Sequence, residues 1–193
     1  MRKWQEIQTV PWKDGDGLIK KTKYPKRLSS GANNTVIVLS EKEVDKLFVG
    51  DTRSDIGSEA DKMKFANSIN DLVVKFKRLE FNENINAEML VMERIYPIDF
   101  RAYEEEIRML WLDVFEDELS QLHKAGFVHR DLIRPSNIGG LAFDNILLTN
   151  EGLRLIDVGI SALKSQVGDP IFEKYLEIEK NEMNAFRSYF MNR

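Results

Sequence analysis

The chain of 193 residues has 42% hydrophobic and 31% charged side chains, the balance of a globular protein large enough to bury its own core. It contains no Cys and only 2 His, which excludes disulfides, thiol catalysis, Cys-ligated zinc and multi-histidine metal sites. The net charge of −4 argues against general nucleic-acid binding, and no apolar run reaches the roughly 18–20 residues that span a bilayer.

The first part of the chain is basic. Residues 1–30 hold 8 Lys and Arg against 3 Asp and Glu, a net charge of +5 that leaves −9 for the rest. Weak periodicity and the run Asp-Gly-Asp-Gly at 14–17 predict loop structure there. We treat residues 1–27 as a basic N-terminal segment, either a solvated chain end or a docking segment for an acidic partner or a phosphate.

From residue 28 to about residue 96 the pattern predicts a small antiparallel sheet with one helix. Residues 35–39 are rich in β-branched side chains and predict a strand, which a polar turn joins to a hairpin partner at 44–48. Residues 54 to about 70 predict a helix with Ser54 or Asp55 as its N-cap. Two further strands are expected, at 72–81 and 88–95.

The second half of the chain is mainly helical. Apolar residues recur at helical spacing over about 103–124 and predict an amphipathic helix that Gly126 ends. A polar loop at 129–145 leads into a predicted hairpin of residues 146–149 and 153–156. Asp169 and Pro170 open a last helix, as its cap and its first helical residue. The predicted fold class is therefore α+β.

Two loops beside short apolar strands carry the side chains from which we predict chemistry. Residues 129–132 read His-Arg-Asp-Leu directly after a helix, and residues 157–159 read Asp-Val-Gly directly after a strand. A rigid scaffold presents metal ligands and a base at a cleft in this way. Transfer of a phosphoryl group needs such a set, because a carboxylate must accept the hydroxyl proton and oxygen atoms must hold Mg²⁺.

The second half resembles the catalytic part of a known family. Residues 122–132, Leu-His-Lys-Ala-Gly-Phe-Val-His-Arg-Asp-Leu, resemble the helix end and catalytic loop of eukaryotic-type protein kinases. Residues 157–159 resemble the metal-binding Asp-Phe-Gly element of the same family, with Val158 in place of Phe. The resemblance implies that Asp131 is the catalytic base and that Arg130 braces the loop.

The same resemblance implies two ligands for Mg²⁺. Asp157 would chelate the Mg²⁺ that bridges the ATP phosphates, and Asn145 would hold a second Mg²⁺. In the family the Asn follows the catalytic Asp by about five residues, whereas Asn145 lies 14 residues after Asp131 because 133–144 is an insertion. Asn137 is a rival ligand, and we prefer Asn145 because it leads directly into the strand at 146–148.

The first half matches the nucleotide-binding part of the same family at several positions. Residues 28–36 resemble the glycine-rich loop that covers the ATP phosphates, although only its middle glycine, Gly31, is retained. Val36 would then lie under the adenine. Lys46 would bind the α- and β-phosphates, and Glu59 in the following helix would be its ion-pair partner, with Asp55 and Asp61 as alternatives.

Residues 90–94 resemble the hinge that joins the two lobes of a kinase. Met92 would guard the back of the nucleotide pocket, while Glu93 and Arg94 would offer backbone groups to the adenine. The resemblance covers about 28–160 and implies one two-lobed, protein kinase-like domain. Its N-lobe, 28–96, would hold the small antiparallel sheet, and its reduced C-lobe, 97–193, would be mainly helical.

The resemblance is to the pared-down bacterial, viral and RIO-type kinases. Only nine residues, 160–168, separate the Asp-Val-Gly element from the last helix, and the helices that bind peptide substrates are missing. The implied function is ATP- and Mg²⁺-dependent phosphotransfer by a minimal protein Ser/Thr kinase. There are two alternatives to this function. The missing helices favour a small-molecule kinase that acts on a sugar or antibiotic hydroxyl. The incomplete glycine-rich loop favours a nucleotide-binding pseudokinase that serves as an interaction module.

The expected partners follow from these alternatives. They are ATP and either a protein or a small-molecule acceptor, without nucleic acid or membrane. No apolar signal-peptide core opens the chain, so we expect a cytoplasmic protein, with export that needs no cleavable signal as the alternative. The sequence leaves the oligomeric state and the role of the 133–144 insertion open.

Overall fold

The computed structural model describes residues 26–30, 34–48, 56–83, 87–133 and 142–192. They divide into two compact units, the first formed by the described residues up to 48 with Lys77–Arg94, the second by Arg53–Phe76 and Ile95–Arg193. Two candidate site residues, Gly31 and Asn137, lie outside the described residues, as do the possible N-caps Ser54 and Asp55. The lobe boundaries at 28–96 and 97–193 stay a prediction.

The first unit is built on a five-stranded sheet. Its strands are β1 (Lys26–Ser30), β2 (Asn34–Val38), β3 (Glu43–Phe48), β4 (Phe76–Asn82) and β5 (Ala87–Glu93), in the order β1-β2-β3-β5-β4. The pairs β1–β2, β2–β3 and β3–β5 are antiparallel, which confirms the small antiparallel sheet that the sequence predicts. Strand β1 was not expected, because its side chains show no apolar alternation and the pairing with β2 alone defines it.

Strand β3 is buried on both faces of the sheet, and its side chains point alternately to one face and to the other. Lys46 lies directly opposite Val36 on β2 and Leu90 on β5, so these three side chains share one face. The neighbouring residue Asp45 lies opposite Ile37 and points to the other face. Lys46 is only 3% exposed and Asp45 only 1%, which is unusual for charged residues.

Asp45 is a carboxyl group in an apolar environment. Its face of the sheet carries a hydrophobic cluster of Ile37, Leu47 and Met89. Neither carboxyl oxygen of Asp45 has a hydrogen-bond partner within the described ranges. Burial, with a smaller contribution from the nearby Glu80, raises the pKa of Asp45 to about 7.

We expect the stability of the protein to fall as the pH rises from about 4 to about 7. In this range the folded state keeps the Asp45 proton that the unfolded chain has released, so each pH unit costs up to about 1.4 kcal/mol. Asp45→Asn removes this ionisation, so the free energy of unfolding should change less between pH 5 and pH 8 than in the wild type. Urea unfolding at both pH values measures the difference, with the exposed Asp113→Asn as the control. Equal pH dependence in Asp45→Asn and the wild type would show that Asp45 is ionised in the folded state.

The described residues of the second unit form four helices and two short ladders. The helices are α1 (Ile56–Asn67), α2 (Glu105–Ala125), α3 (Lys164–Val167) and α4 (Asp169–Met191). Strand β6 (Phe127–Val128) pairs with β9 (Ala162–Leu163), and β7 (Ile146–Thr149) pairs with β8 (Gly152–Leu155). The three long helices and the β7–β8 hairpin lie where the sequence predicts them. In the part of the chain that the structure describes, no helix is both long and apolar enough to cross a membrane.

Two boundary predictions were wrong. Residues 72–75 were expected in a strand of 72–81, but Val73 forms a parallel bridge to Leu155 and the sheet strand starts only at Phe76. The buried residues 72–74 bind the backbone of β8 instead, and Val74 N–H donates to Leu155 O over 2.9 Å. Asp169 is the first residue of α4 rather than its cap, because Gly168 takes the N-cap position with a φ of +78°.

Helices α2 and α4 pack against each other. Phe115 of α2 packs against Phe186 of α4, and the fully buried Arg108 donates from Nη1 to Phe190 O at the end of α4 (2.6 Å). Gly126 ends α2 with a φ of +97°, and a Cβ placed there would lie 3.1 Å from the Cβ of Lys164. Glycine therefore allows the chain to turn sharply out of α2 into β6 and the His-Arg-Asp loop.

Candidate active site

His129 anchors the loop that follows β6. Its side chain is fully buried, and its Nε2 donates a hydrogen bond to Ile156 O over 2.9 Å. The hydroxyl of Ser161 donates to His129 O over 3.1 Å. These two bonds tie the loop to the residue before Asp157 and to the segment that follows it.

Arg130 connects the same loop to helix α4 and to the 157–161 segment. Its φ of +69° is in the left-handed region, which costs a non-glycine residue conformational energy. Its Nη1 donates to Ile160 O over 2.9 Å, and its guanidinium lies 4.0 Å from the centroid of the Tyr175 ring. Its backbone N–H donates to Glu179 Oε2 over 2.6 Å. Arg130 therefore fixes the loop through three separate contacts.

Glu179 is a residue of this region that sequence reasoning missed. It is fully buried on α4, where Oε1 accepts a hydrogen bond from His123 Nε2 (2.8 Å) while Oε2 accepts from Arg130 N–H. The signal was present, because Glu179 stands on the buried stripe of α4 with Phe172 and Met183. An acid within an apolar stripe indicates a buried partner, and here the partners are the end of α2 and the His-Arg-Asp loop.

Asn145 lies beside Asp131 despite the 14 residues between them. Its Nδ2 donates to the backbone O of Asp131 over 2.9 Å and to the carboxylate Oδ2 of Asp131 over 3.0 Å. Because the amide nitrogen faces Asp131, the amide oxygen Oδ1 of Asn145 is directed to its other side. Asn145 thus takes part in holding the predicted base.

The β7–β8 hairpin brings Asp157 close to Asn145. Ile146 pairs with Leu155 across the hairpin, and Ile156 N–H donates to Asn145 O over 3.0 Å. Asp157 follows with a φ of +58°, the second strained residue of the site. The Asp157 carboxylate and the Asn145 amide oxygen are the kind of hard oxygen donors that Mg²⁺ prefers, so these residues fit such an ion.

Lys62 is the second residue that sequence reasoning missed. It lies on α1, one turn after Glu59, and is only 8% exposed. Its Nζ donates a hydrogen bond of 2.8 Å to Gly159 O, in the Asp-Val-Gly turn. Lys62 therefore secures the turn that carries Asp157 from the side of helix α1.

We expect Lys62→Met to weaken the Mg²⁺ dependence of nucleotide binding. The variant keeps the aliphatic length but loses a charged donor, and a hydrogen bond of that type contributes roughly 1.5–3 kcal/mol, or about 10- to 150-fold in affinity. Isothermal titration of ATP at increasing Mg²⁺ concentration measures the effect. Lys64→Met is the matched control, because Lys64 is an exposed lysine of the same helix that pairs with Asp61 over 3.3 Å. Unchanged Mg²⁺ requirements in Lys62→Met would contradict the role.

The predicted nucleotide-binding residues of the first unit lie on β2, β3 and β5. Lys46 shares a face with Val36, and Met92 is buried on β5. At the predicted hinge, Arg94 N–H donates to Lys42 O over 2.9 Å, so that group is already used within the first unit. The adenine contacts of Glu93 and Arg94, and the phosphate contacts of Lys46, stay predictions.

Glu59, the predicted partner of Lys46, is buried on α1 in the second unit. Of the two alternatives, Asp61 is exposed and forms its ion pair with Lys64, whereas Asp55 lies outside the described residues. The observed burial favours Glu59 over Asp61 as a residue with an interior role. The ion pair between Glu59 and Lys46 stays a prediction.

Comparison with known proteins identifies the fold. No family model and no curated protein matches the chain. Among solved structures the chain is similar to the Cydia pomonella granulovirus kinase PK-1, with a TM-score of 0.52 and 20% sequence identity. The similarity covers 72% of this chain and 51% of the viral kinase, so the chain spans about half the length of that protein. The chain therefore has a kinase-like fold, with a small antiparallel sheet and a mainly helical second half, as the sequence predicts.

Proposed function

We propose that this protein is an ATP- and Mg²⁺-dependent phosphotransferase, and specifically a minimal Ser/Thr protein kinase. The observation that carries the proposal is the pair of bonds centred on Asn145, one to Asp131 and one from Ile156 N–H. They gather a candidate base and two candidate oxygen ligands, Asn145 and Asp157, within one unit. A carboxylate base beside metal-binding oxygen atoms is the set of functional groups that phosphoryl transfer requires.

Asp131 is suited to orient the acceptor hydroxyl. Asn145 Nδ2 donates to Oδ2 of the carboxylate and so fixes the side chain that would accept the hydroxyl proton. The bonds of His129 and Arg130 keep the loop in place before substrate binds, which limits the reorganisation needed for an in-line approach. The residues that would hold Mg²⁺ are Asp157 and Asn145. When bound, Mg²⁺ would neutralise negative charge on the transferred phosphoryl group.

The acceptor is the finer part of the proposal. A protein acceptor is supported by the His-Arg-Asp sequence of the catalytic loop. A small-molecule hydroxyl is the second candidate, since only nine residues, 160–168, separate the Asp-Val-Gly element from the last helix. The nucleotide-binding module without catalysis is the third.

One assay separates the three candidates. The purified chain is incubated with γ-labelled ATP and Mg²⁺, alone and with a desalted lysate to which the small-molecule fraction is or is not returned. We expect label in protein bands, and we expect EDTA to abolish it. Label only in the small-molecule fraction would replace the protein kinase with the small-molecule kinase. ATP binding without any transfer would leave only the nucleotide-binding module.

A further inference from the structure

Glu182 of helix α4 contacts the catalytic loop and has no role in the proposed mechanism. Its carboxyl group accepts a hydrogen bond from the backbone N–H of Leu132, the residue after Asp131. Its Oε2 is buried and has no hydrogen-bond partner among the residues that the structure describes. Leu132 itself is fully buried, so its N–H has no access to water as an alternative acceptor.

Glu182 and Glu179 act on the loop as a pair. Residues three apart on a helix face the same way, so both carboxyl groups of α4 project toward the same segment. Glu179 accepts a hydrogen bond from the N–H of Arg130, and Glu182 accepts one from the N–H of Leu132. The two bonds fall on the residues immediately before and after Asp131. They fix the backbone on both sides of the proposed base, and Asn145 binds its carbonyl.

The charges around Glu182 explain how three carboxyl groups lie so close together. Glu179 is bonded to His123 of α2 and to the backbone of Arg130. Glu182 faces Glu179 on its own helix and Asp131 on the loop, and its burial first and these charges second raise its pKa to about 7. Near pH 7 both the protonated and the ionised forms of Glu182 are therefore populated, and the loop gains an acceptor that carries less than a full additional negative charge beside Asp131.

We propose that Glu182 is a positioning residue for phosphotransfer, which holds Leu132 and thereby fixes the orientation of Asp131. This inference rests on the proposed function, because it assigns the residue to the same site. It requires a hydrogen-bond acceptor at position 182, whereas a negative charge is not needed. An amide can replace the carboxyl group in that role, and an apolar side chain of similar length cannot.

Two substitutions at this position test the inference. In Glu182→Gln we expect kcat within about threefold of the wild type. In Glu182→Met we expect kcat to fall at least about tenfold while the KM for ATP stays within about twofold, because Leu132 is not one of the residues assigned to the nucleotide. Glu177→Met is the matched control, since Glu177 is an exposed acid of the same helix, and it should behave as the wild type.

Hydrogen exchange of the Leu132 amide, followed by NMR, provides a readout that is independent of activity. We expect slow exchange in the wild type and in Glu182→Gln, and exchange at least about tenfold faster in Glu182→Met. Equal loss of kcat in the Gln and Met variants, or equal protection of Leu132 in all variants, would overturn the inference. If the wild type transfers no phosphate, the proposed function fails, and with it the catalytic part of this inference. The exchange rates then still decide whether Glu182 holds the loop. A Met variant that does not fold leaves the decision to Glu182→Gln, whose kcat and Leu132 protection must both match the wild type.

Discussion

Asp157→Asn should abolish Mg²⁺-dependent transfer, with a loss of at least about a thousandfold in kcat, or about 4 kcal/mol in activation free energy. The segment 156–168 contains no other Asp or Glu that can take over the position. Asn is the informative replacement, because Asp157 has a φ of +58° and Asn adopts this conformation more readily than Ala. The variant keeps the backbone and the side-chain volume but loses the negative charge that would hold the metal.

The measurement pairs activity with binding. ATP binding with and without Mg²⁺ should differ in the wild type and become the same in Asp157→Asn, while the thermal unfolding midpoint changes little. Asp169→Asn is the matched control, since Asp169 is an exposed acid at the start of α4, close to the same segment in sequence. A variant that keeps the Mg²⁺ response and the rate of the wild type would show that Asp157 is not a metal ligand.

The parts of the fold that the sequence predicts are those with strong local patterns. The β2–β3 hairpin, helix α2 and the β7–β8 hairpin each combine a clear apolar period with turn residues or a terminating glycine. Strands β6 and β9 have only two residues each and escaped prediction, because their pairing depends on the path of the chain between them. The parallel bridge of Val73 to Leu155 is missed for the same reason: its two partners lie far apart in sequence.

Some residues of the candidate site can likewise be predicted from local sequence patterns, and others cannot. Asp131, Asn145 and Asp157 stand out in the sequence because they flank short apolar strands, and the structure places Asn145 against Asp131 as that order suggests. The supporting contacts of Lys62 and Glu179 come from helices whose charged residues look like solvated faces when read locally. The bonds that these two residues make to the site are to backbone groups of Gly159 and Arg130, and backbone groups have no sequence signature. Only tertiary packing reveals such contacts, although an acid on the apolar stripe of α4 points toward one of them.

Asp131→Asn should retain ATP binding and lose most of the transfer rate. A general base contributes typically about 10²–10⁴-fold to a rate, so we expect kcat to fall within that range. The amide that replaces the carboxylate can still accept the hydrogen bond from Asn145 Nδ2, so the loop should keep its structure. The KM for ATP should stay within about threefold, because the substitution removes the proton acceptor without altering the residues assigned to the phosphates.

Comparison with Asn145→Leu separates the role of a base from that of a ligand. That second variant loses both the bond to Asp131 and an oxygen assigned to the metal, so its Mg²⁺ requirement should rise as its kcat falls. Asp131→Asn should instead keep the Mg²⁺ requirement of the wild type. If ATP affinity or the Mg²⁺ requirement changed in Asp131→Asn as strongly as in Asn145→Leu, Asp131 would be a metal ligand. The proton of the acceptor hydroxyl would then need a different acceptor. Parallel Mg²⁺ titrations of the two variants and the wild type decide between these outcomes, because only a ligand changes the metal concentration at half-maximal rate.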